Sequence, residues 1–215
     1  MLKDADNIQS SFQSTQLSDF FRMSNHKVFE WLNPPPHWSE DREALTVTTG
    51  ENTDFWNRTF YGFTHASGHL RYCQADGDFS AEVKVSAYYE HLYDQAGLMV
   101  MVDSDNWLKC GLEFTDGGLH FSTVVTRDGF SDWSQFMVAD KARQDLGIRI
   151  TRHGEALRIQ YRLQQGSWTL ARLAMLAMTS TVNIGMMCCT PTRQGLDVRF
   201  ERFKLEQAIS RELHN

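Results

Sequence analysis

The sequence predicts an all-β fold in which two antiparallel sheets stack face to face. Three observations predict it. Short runs of alternating apolar and polar residues recur along the chain, Gly- and Asp-rich turns separate them, and no long segment shows the helical period of about 3.6 residues. The chain has 215 residues, a length that one sandwich domain commonly reaches, and 12% of them are aromatic, as expected for sheets.

The chain begins with a segment that lacks this pattern. Residues 1–25 are rich in Ser and Gln, so we expect an N-terminal arm that is flexible or forms a short helix after Ser18. We expect the sandwich domain to span residues 26–208 and a C-terminal tail to cover residues 209–215. The first strand of the domain lies within Val28–Leu32 and ends at Pro34–Pro36, because consecutive prolines cannot continue a hydrogen-bonded ladder.

The remaining strands are predicted at the regular spacing of a sandwich. Turns such as Asp116–Gly118 separate them and supply residues that accept a positive φ. In the last strand the alternation changes phase between Phe200 and Phe203, which predicts a β-bulge. In chain order the predicted strands are Ala44–Thr48, Thr53–Trp56, His69–Cys73, Phe79–Ala87, Gln95–Val102, Asn106–Phe114, Leu119–Thr126, Ser134–Val138, Leu146–Arg152, Ala156–Leu163, Ser167–Ala174, Val182–Cys189 and Leu196–Leu205.

Composition narrows the classes of partner. The net charge of −6, without a basic stripe, argues against nucleic acid. No apolar run approaches the roughly 18 residues of a membrane span, and no secretory signal is visible, so we expect no membrane partner. Of the four cysteines, Cys110 and Cys188 lie inside apolar strand patterns and Cys189 is adjacent to Cys188, so buried reduced thiols and a cytoplasmic location are expected.

No metal or other cofactor is predicted. His65 and His69 have a spacing that suits zinc on a helix, but the Ser-Gly pair between them disfavours a helix and no third ligand is evident. Turn aspartates such as Asp103 and Asp105 could supply oxygens to calcium. Turns need Asp in any case, so a structural calcium stays open.

The segment Tyr93–Gly117 is the most informative part of the chain. It predicts two long strands, the first apolar almost throughout, as in a strand covered on both faces. The second strand alternates. Its core face carries Leu108, Cys110, Leu112 and Phe114, and its other face carries Trp107, Lys109, Gly111 and Glu113. Alternate positions of a strand lie about 7 Å apart, so a Trp, a Lys and a Glu form a row. Such a row predicts a face that binds a ligand or packs against another layer.

Further aromatic and polar clusters occur at residues 53–63, 90–95 and 131–134. Aromatic rings stack on the apolar face of a pyranose, while fixed amides and carboxylates hydrogen-bond its hydroxyls. We therefore predict a non-catalytic module that binds a carbohydrate or a sugar-derived metabolite, sugar acids and phosphates included, on the concave face of one sheet. The predicted ligand-binding residues are Asp54, Trp56, Tyr61, Asp94, Gln95, Trp107, Lys109, Glu113, Asp132 and Trp133.

Two other functions are compatible with the same residues. A glycoside hydrolase or lyase could use Asp94 and Glu113 as a carboxylate pair across neighbouring strands, although the tight Glu-x-Asp-x-x-Glu arrangement of several sandwich glucanases is absent. A protein-interaction module in the regulation of carbon metabolism could use the same aromatic surface. The residues could also be purely structural, with aromatic rings capping sheet ends and charges forming cross-strand pairs. The oligomeric state is left open.

Four segments carry a resemblance to a known family, and they occur in the family's order: TDFWNRTFYGF, GHLRY, YDQAGLMVMVDSDNWLKCGLEFTDG and STVVTRDGFSDWS. They resemble a family of the concanavalin A-like lectin/glucanase superfamily, a domain of unknown function named after a yeast regulator of enolase. The resemblance covers about residues 28–207 and implies a concanavalin A-like jelly roll of two curved sheets. It supplies no catalytic residue and no ligand; what it adds is that the ten predicted site residues lie in the matching segments.

Overall fold

The alternating runs pair into sixteen strands within residues 27–143 and 145–213, the part of the chain described by the structure, a computed structural model. They form two antiparallel sheets of seven strands each and one separate two-stranded hairpin. The two large sheets stack on a common apolar core, which confirms the predicted jelly-roll sandwich. The predicted N-terminal arm lies outside the described residues, and the domain limits at residues 26 and 208 stay predictions.

Each sheet combines strands that are distant in sequence. In spatial order, the first sheet contains β1 (Glu30–Leu32), β6 (His69–Asp76), β15 (Thr181–Cys189), β8 (Gln95–Met101), β9 (Trp107–Thr115), β10 (Gly118–Arg127) and β11 (Phe130–Met137). The second contains β14 (Thr169–Met175), β13 (Ala156–Leu163), β12 (Leu146–His153), β7 (Phe79–Ala87), β16 (Asp197–Gln207), β3 (Ala44–Thr48) and β2 (His37–Glu40). The separate hairpin contains β4 (Phe55–Asn57) and β5 (Thr64–Ala66), and one 3₁₀ turn occupies Asp140–Arg143.

The core lies between the two sheets, where the predicted alternation places the apolar side chains. Leu108, Cys110 and Leu112 of β9 point into it, as do Val85 of β7 and Ile148 of β12 in the opposite sheet. All five are almost completely buried. Burial of apolar surface is the main favourable term in folding, so the apolar face of β9 points into the core. Side chains alternate along a strand, so the other face of β9 points outward. The side chains of Lys109 and Glu113 therefore point away from the core.

A pair of glycines lets β8 and β9 approach closely on that other face. Gly97 lies directly opposite Gly111 in the ladder. A Cβ atom added at Gly111 would lie 2.1 Å from the carbonyl oxygen of Ala96, so no larger residue fits without moving the backbone. The pair leaves a gap in the row of side chains between Lys109 and Glu113.

Two short strands, β2 and β5, were not predicted from the sequence, whereas one irregularity was. The strand β2 follows the prolines directly, so Pro34–Pro36 carries the chain from an edge of the first sheet to an edge of the second. The strand β5 is short and exposed, and it lacks the alternation that would have predicted it. The predicted bulge is confirmed, because the pairing of β16 with β7 shifts between Glu201 and Lys204 and Arg202 has a φ of 55°.

Candidate functional site

A second layer covers the outer face of the first sheet, the face turned away from the second sheet. It consists of the β4–β5 hairpin and the adjoining segments, and it builds a smaller apolar cluster with Phe55, Met99 and Trp107 among its members. Backbone and side-chain hydrogen bonds hold the layer in place: Asn57 N donates to Ser131 Oγ at 2.9 Å, and Thr53 N donates to Thr190 O at 3.2 Å. Thus the unusual face of β9 has another layer to pack on.

A pocket of about 320 Å³ lies between this layer and the sheet. Such a volume is at the lower end of the range for small-molecule sites. Seven of the ten predicted site residues line it: Asp54, Trp56, Tyr61, Gln95, Lys109, Glu113 and Trp133. The lining is completed by Asn52, Phe63, His65, Tyr93, Val124, Pro191 and Thr192.

Lys109 is the polar centre of the pocket floor. It is 5% exposed, and its Nζ donates to Asp54 Oδ1 at 3.1 Å and to Gln95 Oε1 at 2.7 Å. Burial alone lowers the pKa of the ammonium group, but the charge of Asp54, with further contributions from Cys189 and Glu113, raises the pKa above its ordinary value. Lys109 is therefore charged at neutral pH, and two of its three protons are used within the protein.

Glu113 is the carboxylate of the pocket that has no ion-pair partner. It is 6% exposed, and no cation among the described residues forms an ion pair with it. Burial raises the pKa of Glu113, while the Lys109 charge and hydrogen bonding by the Ser122 hydroxyl and the Trp133 indole oppose the shift. A buried carboxylate without an ion-pair partner is costly for the fold, so its presence at a pocket wall marks a functional candidate.

A strained loop supplies the aromatic wall from the β4–β5 side. Arg58 and Phe60 both have positive φ, of 49° and 64°, which is unusual for residues with a side chain. Hydrogen bonds from Arg58 N to Phe63 O and from Gly62 N to Arg58 O, both 2.7 Å, hold the loop closed. The loop turns the rings of Tyr61 and Phe63 toward the pocket, where they stack at 5.2 Å between centroids.

Trp107 does not reach the pocket. It is 2% exposed and packs against Phe55 of the covering hairpin, with 6.1 Å between ring centroids. The prediction placed it in the site because it shares a face with Lys109. It lies at the far end of that face, where the covering layer sits directly on the sheet, so its role is to hold the layer.

Asp94 also lies outside the pocket, which removes the proposed Asp94–Glu113 carboxylate pair. Gln95 pairs with Glu113 in the ladder and shares its face, so Asp94, one residue earlier, points to the opposite side. Its carboxylate is fully buried; Oδ2 accepts hydrogen bonds from the backbone of Glu90 and His91 at 3.0 and 3.1 Å. Arg193 Nη2 donates to the same oxygen at 2.5 Å, and Nε to Oδ1 at 2.9 Å. Asp94 therefore fixes a turn.

Asp132 lies outside the pocket for the same reason, because adjacent residues of a strand point to opposite faces of the sheet. Trp133 lies opposite Val124 on the outer face, so Asp132 points toward the edge of the second sheet. There it pairs with Arg172 of β14 and with Arg127, both at 3.2 Å, and its side chain is half exposed. The Asp132–Arg172 pair links the edges of the two sheets.

Most of the lining residues absent from the predicted site come from segments without a sheet pattern; Val124, on β10, is the exception. Phe63 and His65 belong to the loop and β5, whose pairing partner is β4 alone. Pro191 and Thr192 follow the end of β15. Tyr93 precedes β8; it belongs to the cluster at residues 90–95 but was not among the predicted ligand-binding residues. Burial and the neighbouring Tyr61 hydroxyl raise the pKa of Tyr93 to about 12, so its hydroxyl keeps its proton at neutral pH.

Two larger grooves, of about 900 and 650 Å³, lie elsewhere. Phe203, near the bulge of β16, lines the first groove, and Tyr88 lines the second. About half of the residues lining each groove carry a charge, as on ordinary protein surface. The smaller pocket combines aromatic walls with buried, convergent polar groups, the usual character of a small-molecule site, so we take it as the candidate site.

No group of three or more His, Cys, Asp or Glu side chains in residues 27–143 and 145–213 is arranged to hold a metal ion. No helix within those ranges has the length and apolar character needed to cross a membrane.

Comparison with known sequences places the chain in a family. The model of a family described as "Protein of unknown function (DUF1349)" matches residues 31–208. The chain belongs to the DUF1349 family. Regulation of enolase protein 1 from Saccharomyces cerevisiae is 42% identical to this DUF1349 chain over 185 residues, which are 86% of the chain and 92% of the yeast protein. An uncharacterized protein from Emericella nidulans is 40% identical over 58 residues, 25% of the chain and 28% of that protein. The predicted family resemblance is confirmed.

Solved structures share the sandwich of the DUF1349 chain. A functionally unknown protein from Saccharomyces cerevisiae has a TM-score of 0.81 and 41% identity, covering 85% of this chain and 97% of its own. The GH43 BlXynB protein from Bacillus licheniformis has a TM-score of 0.61 and 17% identity, covering 83% of this chain and 36% of its own. The carbohydrate binding module CBM66 from Bacillus subtilis has a TM-score of 0.57 and 12% identity, covering 86% of this chain and 99% of its own. The last two likenesses show the fold alone.

Proposed function

We propose that this DUF1349 domain is a non-catalytic module that binds a small carbohydrate or sugar-derived metabolite in the pocket above Lys109. The observation that carries the proposal is the meeting of aromatic rings with buried, fixed polar groups in one cavity of about 320 Å³. A sugar ring has apolar faces that stack on aromatic side chains and hydroxyls that need such polar groups. The Gly97–Gly111 pair keeps the floor between Lys109 and Glu113 free of side chains.

The arrangement of carboxylates supports binding rather than hydrolysis. A glycosidase places two carboxyl groups on either side of the scissile bond, and both must reach the substrate. Asp94 points away from the pocket, and Oδ1 of Asp54 is occupied by Lys109 Nζ and by the backbone N–H of Phe55 at 2.8 Å. Glu113 is thus the one carboxylate among the described pocket residues that forms no ion pair with a protein cation.

The fold and the thiols are in keeping with this role. The CBM66 module carries its carbohydrate function in its name, but at 12% identity it supports the architecture of the proposal and not its ligand. The four cysteines are buried as free thiols. Reduced thiols of this kind are typical of a reducing compartment, so we place the proposed function in the cytoplasm.

Titration with a panel of monosaccharides, disaccharides and sugar phosphates, followed by tryptophan fluorescence and calorimetry, tests the proposal. Trp56 and Trp133 line the pocket, so a bound sugar should change the emission. Trp133→Ala should weaken binding at least tenfold, which corresponds to about 1.4 kcal/mol. Trp168→Ala is the matched control, because that indole lies against Arg149 and Arg162 on the second sheet and should not matter. If no member of the panel binds to the wild-type protein, the proposal is overturned.

A second candidate function, regulation through a protein partner, is favoured by the rim of the pocket. Phe60 is 91% exposed in the strained loop, and the neighbouring Tyr61, Phe63 and Phe130 are also exposed. Clustered exposed aromatic residues are typical of protein interfaces. The yeast relative that is 42% identical is named for regulation of enolase, so enolase is the partner to test.

Surface-based binding measurements with purified enolase test this second function. We expect binding that Phe60→Ser weakens at least tenfold, because an exposed aromatic anchor contributes strongly to an interface. Tyr88→Ser removes another exposed ring, 68% exposed, on a different surface and should have no effect. If enolase shows no binding, or if both variants weaken it equally, the rim is not its contact surface.

A further inference from the structure

Four aromatic side chains of the pocket close a ring, here called the aromatic box. Trp56 meets Tyr61 at 5.9 Å and 67°, and it meets Trp133 at 6.5 Å and 87°. Trp133 meets Tyr93 at 6.4 Å and 75°, and the hydroxyl of Tyr93 lies next to that of Tyr61. In these three ring pairs the planes are thus steeply inclined, at 67° to 87°. A flat sugar stacks on one or two rings that face it, whereas perpendicular rings surround a compact group, as in the aromatic cages that bind ammonium ions.

The box offers few hydrogen-bond donors. The indole N–H of Trp56 donates to Thr59 O at 3.0 Å, and that of Trp133 donates to Ser122 Oγ at 2.8 Å. Lys109 already donates to Asp54 and Gln95. Because these donors are used within the protein, the two tryptophans present their rings, and not their N–H groups, to a ligand.

In the pocket, hydrogen-bond acceptors and negative charges are in excess of free donors and positive charges. Among the described residues, Asp54 receives its side-chain hydrogen bonds at Oδ1, while Oδ2 has no donor. Glu113 is buried, and none of these residues forms an ion pair with it. Lys109 is the one Lys or Arg among the described lining residues, so it balances one of the two carboxylates. An anionic ligand would therefore face repulsion, and the sugar acids and phosphates admitted by the sequence analysis fit this charge balance poorly.

We propose that the pocket selects a carbohydrate with a protonated amine, whose ammonium group lies in the aromatic box against the carboxylate of Glu113. The inference rests on the proposed function, because the box is part of the same pocket. An ammonium ion gains from the electron-rich ring faces and from a desolvated carboxylate at once. It also supplies the donors that the box lacks, and it leaves the Lys109–Asp54 pair undisturbed.

Calorimetric titration at about pH 7 tests the inference. The probes are glucosamine and galactosamine, their parent sugars glucose and galactose, N-acetylglucosamine, and choline. We expect an amino sugar to bind at least tenfold more tightly than its parent sugar and than its N-acetyl form. Equal affinity of amino and parent sugars would overturn the inference while the proposed function stands. Binding of choline alone, or of no probe, would overturn the inference; the proposed function falls as well only if the disaccharides and sugar phosphates of the wider panel also fail to bind.

The variant Glu113→Gln identifies the group responsible. It keeps the shape of the side chain and removes its charge, so the preference for amino sugars should fall to within about twofold of the parent sugars. Asp132→Asn is the control, because this carboxylate lies on β11 beside Trp133 but outside the pocket, and the preference should persist. A preference that survives Glu113→Gln would overturn the inference. The wild-type titrations decide the preference even where a variant folds poorly.

Discussion

Replacing Lys109 by methionine is expected to lower the free energy of unfolding by about 3–5 kcal/mol, the usual cost of removing one partner of a buried ion pair. Methionine fills a similar volume, so the loss is electrostatic. The substitution removes the ammonium donor from the Asp54 carboxylate and from Gln95 Oε1, and it removes the positive charge that acts on Glu113. Chemical denaturation at neutral pH measures the effect.

A matched control is Lys84→Met on the second sheet. Lys84 pairs with Glu201 at 3.3 Å and with Asp145 at 3.7 Å, but it is one-third exposed, so we expect a loss of about 1 kcal/mol or less. The Lys109→Met deficit should also shrink in acid. Burial raises the pKa of Glu113, and without Lys109 the native state takes up that proton more readily, so stability relative to wild type rises as the pH falls. Equal losses of stability in the two variants would show that the charge of Lys109 stabilises the fold no more than that of a partly exposed lysine.

Replacing Asp94 by alanine is expected to cost about 3 kcal/mol of stability while leaving ligand affinity unchanged. The carboxylate joins two backbone N–H groups of the turn before β8 to Arg193 in the segment after β15, and all of these bonds are lost together. Hydrogen bonds to a charged group contribute about 1.5–3 kcal/mol each when they are buried. Arg193 is partly exposed and can turn to solvent, which limits the total.

Thermal or chemical unfolding, together with the carbohydrate titration, separates a structural role of Asp94 from a catalytic one. Asp94→Asn keeps an acceptor for the turn and should lose about half as much stability. Asp132→Ala, half exposed on the sheet edge, should lose less than about 1 kcal/mol. A stable Asp94→Ala protein with impaired ligand binding would contradict the placement of this side chain on the opposite face.

Strand periodicity accounts for what could be predicted from the sequence. The alternation of β9 placed Lys109 and Glu113 on one face, opposite the core, and the structure has them there. The same rule, applied across the ladder, would have separated Asp94 from Gln95, but it needs the register of β8 against β9. Two adjacent polar residues before a strand do not reveal which of them shares a face with Glu113. Register is a property of the paired strands, so it became visible only with the structure.

The covering layer was harder to predict because its residues show no repeating apolar pattern along the chain. Its hairpin lies across a sheet instead of extending one, so Phe63 and His65 follow no apolar pattern. Trp107 shows the consequence. On sequence alone a Trp on the outer face of a strand looks available to a ligand, and only the position of Phe55 above it shows that it is covered. Aromatic composition predicted the chemistry of the pocket, while the contact between layers decides which rings line it.

The β4–β5 hairpin pairs with neither large sheet, yet it supplies one wall of the pocket, while β8 and β9 supply the floor. A ligand of the proposed kind, seated between them, would bridge two parts of the chain that are otherwise joined mainly by side-chain contacts. It would add bonds that hold the hairpin in place, and the same hairpin carries the exposed ring of Phe60 at the rim. On the proposed function, occupation of the pocket would thereby change the exposed surface, which is the property that a metabolite-responsive regulator requires.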